Sequence, residues 1–403
     1  MTNQILEASR SKSEKVNMSN MQPFKIGVPD SSLIDLQERL SRTRFPDEIN
    51  DANWGWGTDQ KYLHEILEYW RDGFNWRDQE EKINAFPQFI ATIDGVDIHF
   101  IHARGKGPSP IPLVLTHGWP GSVAEMLDII PLLTGEKKNS VGNTPQTFDV
   151  IVPSLPGFGF SSRATAPGMS SAVIAELWHK LMLQLGYSKF GVQGGDLGSG
   201  ISLRIALEHP DSVIGAHVNY LSFGYKSVRT SSGDAGDAAG ADYDQRRAAW
   251  SIAEGGYAHV HATRPQTLGF ALNDSPAGLA AWLLEKFHSW SDRSQSAGMM
   301  PFAFDELLTN ISIYWFTQTI TSSMRLYKEG SANPLVLSED HKIIRPLAIA
   351  NFPCEIPSQP KERIQKVANL VRWTDMPRGG HFAALEEPEL LAADISEFFF
   401  SLK

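Results

Sequence analysis

The chain of 403 residues is 42% apolar and 20% charged, long enough for a large core with a second lobe built onto it and too apolar for a disordered chain. A net charge of -10 and no basic cluster exclude nucleic acid and an anionic membrane surface as partners, and favour a small neutral ligand. The single cysteine, Cys354, leaves neither an intrachain disulfide nor a thiolate metal site, and fits a reducing cytoplasmic compartment.

Residues 1–21 are polar with mixed charge and lack the apolar run of a secretory signal or membrane span, so they read as a flexible start. From Phe24 to about Phe86 the spacing predicts helices and no strand: Leu33, Leu36 and Leu40 follow Pro29 and Asp30, and Leu63, Ile66, Leu67 and Trp70 follow Asp59. Trp54, Trp56, Trp70 and Trp76 read as packing anchors of this segment. The period then changes to two, with Ile90 and Thr92 before Asp94-Gly95 and Val96, Ile98 and Phe100 after it, a hairpin pattern. Short apolar runs at 112–116, 150–152, 190–193 and 213–218 alternate with helices, as a mainly parallel sheet requires. One such helix is marked by Val173, Ile174, Leu177, Trp178, Leu181 and Leu185. After about Gly224 the Gly/Ala/Asp-rich stretch 231–244 reads as a mobile loop and the residues up to about Lys328 as helical, an inserted cap. Sheet signals return at 344–350 and 370–373, and Pro388 opens a last helix through Leu390, Leu391, Ile395 and Phe398.

The most informative segment is an apolar strand running into Gly194-Gly195-Asp196-Leu197-Gly198 and then a helix over 201–207, the strand-turn-helix setting of a nucleophile elbow. Gly194 and Gly198 leave room beside the sharp turn. Asp stands where an ester hydrolase would carry Ser. A carboxylate, with a reference pKa of about 3.9, is ionised at neutral pH and attacks without a base, which suits displacement at a saturated carbon. His117-Gly118-Trp119-Pro120-Gly121 follows an earlier strand at the point where this fold takes one oxyanion-hole amide, so the N–H groups of Trp119 and Leu197 are the expected oxyanion donors. Arg378-Gly379-Gly380-His381-Phe382-Ala383-Ala384 follows the last strand, and the chain order nucleophile, acid, histidine makes His381 the base. Glu355 is the leading candidate to orient it, with Asp375 as the fallback. His117, Trp119, Phe158 and Phe382 are expected to line the substrate site. His259 and His261 lack carboxylate or thiol companions and are not read as metal ligands.

These motifs, together with the Trp-rich N-terminal segment and Leu272-Asn273-Asp274-Ser275-Pro276, make the chain resemble a microsomal-type epoxide hydrolase from about Phe24 onward. Membrane-bound members carry an N-terminal anchor that does not appear here, so the resemblance is to soluble fungal and bacterial relatives. It implies an α/β-hydrolase fold with an N-terminal extension over 1–88, core over 89–224 and 336–403, and a helical cap over 225–335. It also implies two cap tyrosines on the epoxide oxygen, matched by Tyr257 and Tyr327, with Tyr314 as rival to the second. A phenol, with a reference pKa of about 10, is protonated at pH 7 and can hand its proton to an alkoxide. The implied reaction takes an epoxide and water to a vicinal diol through an ester on Asp196, with no cofactor or metal; a homodimer is compatible with it. A haloalkane dehalogenase shares this machinery but commonly has an aromatic after the nucleophile, where this chain has Leu197. A non-catalytic binding protein on the same scaffold would tolerate loss of a triad member, and none is lost.

Overall fold

The apolar runs become nine strands of one sheet in a computed structural model that describes residues 21–51, 53–142, 144–221 and 238–403. The strands are β1 Met21–Phe24, β2 Gln88–Ile93, β3 Val96–Ala103, β4 Ile111–Thr116, β5 Phe148–Pro153, β6 Phe190–Gly194, β7 Val213–Val218, β8 Ile343–Asn351 and β9 Ala368–Asp375. Their order is β1-β2-β3-β5-β4-β6-β7-β8-β9. Pairing is antiparallel from β1 to β5 and parallel from β5 to β9. Every residue of β5 and β6 is buried, which explains why these central strands read as continuous apolar runs and not as alternation. The β2–β3 hairpin turns through Asp94 and Gly95 with φ of 51° and 80°, the two left-handed residues that match strand twist. Strand β1 is an addition to the expected elements; four residues at a sheet edge are too few to show a period.

Helix Ser171–Gln184 buries Ile174, Leu177, Trp178 and Leu181, but Val173 is 41% exposed and lies off the face assigned to it. Between β7 and β8 the described residues form six helices, Ala238–Glu254, Gly256–Thr263, Pro265–Leu272, Pro276–Trp290, Phe304–Thr317 and Ile320–Ala332, which make up the cap. Of the stretch expected to be a loop, 231–237 lie outside the described residues, and from Ala238 the chain is helical. Alanines at 238, 239 and 241 favour helix, and Asp242 pairs with Arg246 one turn on at 2.8 Å.

Helices Asp30–Ser41, Gln60–Asp72 and Trp76–Asn84 of the N-terminal segment pack on the cap. Asp59 caps the second of them by accepting from the Tyr62 amide at 2.7 Å. Trp70 is buried and donates to Ser312 Oγ at 3.1 Å, Thr58 Oγ1 donates to the Ala281 carbonyl at 2.7 Å, and Trp54 stacks on His288 with centroids 3.9 Å apart. Trp70 and Trp76 are therefore anchors as expected, whereas Trp56 is 79% exposed and anchors nothing. No described helix is long and apolar enough to cross a membrane. The mostly parallel sheet flanked by helices is the α/β-hydrolase fold anticipated above.

Candidate active site

Strands β4 and β6 are parallel neighbours whose last residues, Thr116 and Gly194, lie opposite each other, so the loops that follow leave the sheet side by side. Chain order reverses here, with β5 on one side of β4 and β6 on the other, the position where open α/β sheets form a crevice. The helix Asp196–Glu208 sits hard against β4: a Cβ on Gly198 would lie 2.1 Å from the Thr116 carbonyl oxygen, and one on Gly194 would lie 2.3 Å from the Gly198 backbone. The turn holds Asp196 at φ 45°, a conformation that side chains other than glycine's seldom adopt and that functional positions often do.

That turn aims the Asp196 carboxylate at the loop after β4. Oδ1 accepts from the Trp119 amide at 2.8 Å, and a Cβ on Gly118 would lie 2.4 Å from the same oxygen. Oδ2 lies 3.4 Å from His381 Nε2, and His381 Nδ1 is 2.5 Å from Glu355 Oε1, which also accepts from the Ile356 amide at 2.8 Å. Burial opposes a charge on His381, but Glu355 and Asp196 outweigh it and hold its pKa well above the usual histidine value. Asp375 is exposed and accepts from Asn351 and Trp373 at 2.9 Å each, away from the imidazole. Leu197 lies in the first helical turn, where amides lack an intrahelical acceptor.

The cap supplies an aromatic wall. Tyr257 stacks on Trp119 with centroids 5.1 Å apart and planes 9° apart, and Tyr327 meets Tyr257 edge-on at 5.7 Å and Trp119 edge-on at 6.0 Å. Tyr314, the rival, donates its hydroxyl to the Gly121 carbonyl at 2.8 Å. Phe382 lies edge-on to His381 at 5.3 Å and stacks on Phe287 at 4.3 Å. His117 turns both ring nitrogens to the main chain, Nδ1–H donating to the Gly118 carbonyl at 3.0 Å and Nε2 accepting from the Leu155 amide at 3.2 Å; burial depresses its pKa to about 4. Phe158 is fully buried beneath it, centroids 5.5 Å apart.

Sequence reasoning missed several neighbours of this site. Trp290 faces both Tyr257 and His381 at 5.1 Å, and Tyr220 meets His381 edge-on at 5.6 Å. His261 faces Tyr327 at 5.0 Å; its spacing of four from Tyr257 on one helix was the only available signal. Lys286, itself buried, sits 5.0 Å above the Tyr257 ring. Beside Asp196, a cavity of about 10 Å³, room for a single water, is lined by Asp196, His381, Asn219, Gln193 and Glu125 among others. Burial pushes the Glu125 carboxyl up to about 8. Among the described residues one group of potential metal ligands comes together, Glu176, His179 and His209, at the far end of the helix Asp196–Glu208. Its two imidazoles stack at 3.8 Å and 14°, so their lone pairs lie in near-parallel planes and do not meet at one ion as the rings stand.

The sequence profile of the epoxide hydrolase N terminus matches residues 21–126, and that of the alpha/beta hydrolase fold matches residues 111–218. Epoxide hydrolase 1 of Oryctolagus cuniculus is 40% identical over 94% of this chain and 88% of its own length. The structure of Aspergillus niger epoxide hydrolase superposes with a TM-score of 0.82 at 30% identity, covering 95% of this chain and 96% of that one. The crystal structure of juvenile hormone epoxide hydrolase from Bombyx mori gives 0.80 at 32% identity, covering 95% and 94%. A shared fold alone would not carry an activity, but identity at this level along nearly the whole chain does. The chain belongs to the epoxide hydrolase family, an enzyme built on the α/β-hydrolase fold.

Proposed function

We propose that this epoxide hydrolase works in the cytoplasm on small neutral epoxides by a two-step covalent cycle on Asp196. The observation that carries the reading is one carboxylate held at 2.8 Å from the Trp119 amide and 3.4 Å from His381, with Tyr257 and Tyr327 packed against the ring of that same Trp119. Asp196 attacks a ring carbon, the C–O bond breaks, and a cap tyrosine gives its proton to the departing oxygen. Esterification removes the Asp196 charge that helps hold the His381 proton, so the imidazolium can release that proton to the tyrosinate and become a neutral base.

In the second step His381, held by Glu355, takes a proton from a water that attacks the ester carbonyl. The amides of Trp119 and Leu197 stabilise the oxyanion; on collapse the ester C–O bond breaks, the imidazolium hands its proton to the leaving alkoxide to give the diol, and the new Asp196 carboxyl returns a proton to His381. The aspartate and imidazolium pair is restored, and atoms balance as epoxide plus water. The one-water cavity that Asp196 and His381 both line supports this reading. In the test, His381→Gln exposed to styrene oxide gains the mass of one epoxide on the Asp196 peptide, whereas Asp196→Ala gains none. Diol formation by Asp196→Ala at an undiminished rate would remove the aspartate from its role.

A further inference from the structure

The loop that carries His381 is fastened to the cap as much as to the sheet that presents it. Its main-chain amides reach outward: Gly379 N–H donates to Asp292 Oδ2 at 2.9 Å, His381 N–H to the Trp290 carbonyl at 2.9 Å, and Phe382 N–H to Glu386 Oε1 at 2.9 Å. The other Glu386 oxygen accepts from the Asp292 amide at 2.7 Å. Glu386 thus holds the base loop with one oxygen and the cap chain with the other, while Asp292 reaches back from the cap to the loop. The two chains touch so closely that a Cβ on Gly380 would lie 2.6 Å from the Trp290 carbonyl oxygen, which accounts for one glycine of the Arg-Gly-Gly-His run.

We propose that Glu386 and Asp292 are a positioning pair that locks the His381 loop to the end of the cap helix Pro276–Trp290, so that the base keeps its register with the nucleophile. Neither residue touches the reacting atoms. The far side of the cap is docked independently, by Asn310 Nδ2 on the Pro120 carbonyl at 2.7 Å, Tyr314 on the Gly121 carbonyl and Ser322 Oγ on the Gly157 carbonyl at 2.6 Å. Tyr327 shares the helix Ile320–Ala332 with Ser322 and keeps that docking, so loss of the pair falls on the base more than on Tyr327. Because the covalent reading gives His381 no part in ring opening and makes it the base of ester hydrolysis, hydrolysis is the step that slows.

The inference rests on the covalent cycle proposed above, and rapid-quench single turnovers with styrene oxide separate the two. On the full chain, Glu386→Ala is expected to slow ester hydrolysis by roughly 10–100-fold, the scale of a misplaced catalytic group, with ester formation changed by less than about threefold and KM lowered as the ester accumulates. Glu386→Gln keeps a single acceptor oxygen and falls between, and Asp292→Asn behaves like it. These two near-isosteric variants carry the test if Glu386→Ala does not fold. Equal slowing of both steps, or no slowing of hydrolysis in any variant, overturns the pair's role while leaving the cycle intact. If the unsubstituted chain forms no ester at all, the covalent reading falls and this inference with it.

Discussion

Glu355→Gln tests the catalytic geometry most sharply, because the amide can keep the hydrogen bond to His381 Nδ1, now 2.5 Å, while removing the charge. With charge centres about 4 Å apart and an effective dielectric of about 20, the attraction lost is about 4 kcal/mol. That corresponds to about three pKa units on the imidazole. If most of it is felt when water is deprotonated, hydrolysis of the ester slows by roughly 10²–10³-fold. Ester formation should change far less, since Glu355 bonds to His381 and the Ile356 amide and not to Asp196. Rapid quenching followed by digestion and mass analysis reads both steps. Wild-type hydrolysis in Glu355→Gln, or a comparable loss in Asp375→Asn, would refute the assignment of the orienting acid.

Three further outcomes follow from individual contacts. Tyr327→Phe should slow ester formation by roughly 10²-fold, the low end for loss of an acid because Tyr257 remains; Tyr314→Phe should instead cost about 1 kcal/mol of stability, the buried bond to Gly121, with ester formation near normal in the same rapid-quench assay. Gly198→Ala places a methyl 2.1 Å from the Thr116 carbonyl oxygen, so the helix Asp196–Glu208 must back away; a loss of about 1–3 kcal/mol in denaturant melts is expected, together with a lowered kcat. Glu125 has its folded-state pKa raised to about 8, so the stability it contributes is complete below its unfolded value of 4.5 and is lost as pH rises through 8. Glu125→Gln should accordingly gain on the wild type by roughly 1.4 kcal/mol per pH unit across that window and no further above it, read by thermal melts.

What was legible in the sequence was what the chain writes locally. The elbow at Asp196, the loop through Trp119 and the glycine run before His381 each sit within a few residues of a strand end, and each glycine among them answers a close approach that the structure displays. The parallel core strands were legible for the same reason, being continuous apolar runs. Trp290, Tyr220, Glu125 and Lys286 were not, because they reach the site through cap packing or from beneath the loop, and no spacing connects them to it. Tyr257 and Tyr327 came from family resemblance alone. Composition misled at Ala238–Asp244, where glycine and aspartate suggested a loop but alanines and an Asp242–Arg246 pair made a helix. It misled again at Trp56, an aromatic left in solvent.

The most direct test of the ester on Asp196 is one turnover in ¹⁸O-labelled water with enzyme in excess over epoxide. Attack by the carboxylate predicts a diol free of label and a peptide containing Asp196 that carries it, because solvent oxygen enters at the ester carbonyl. A diol labelled in that first turnover, with an unlabelled aspartate, would show that water opens the ring directly and would contradict the account.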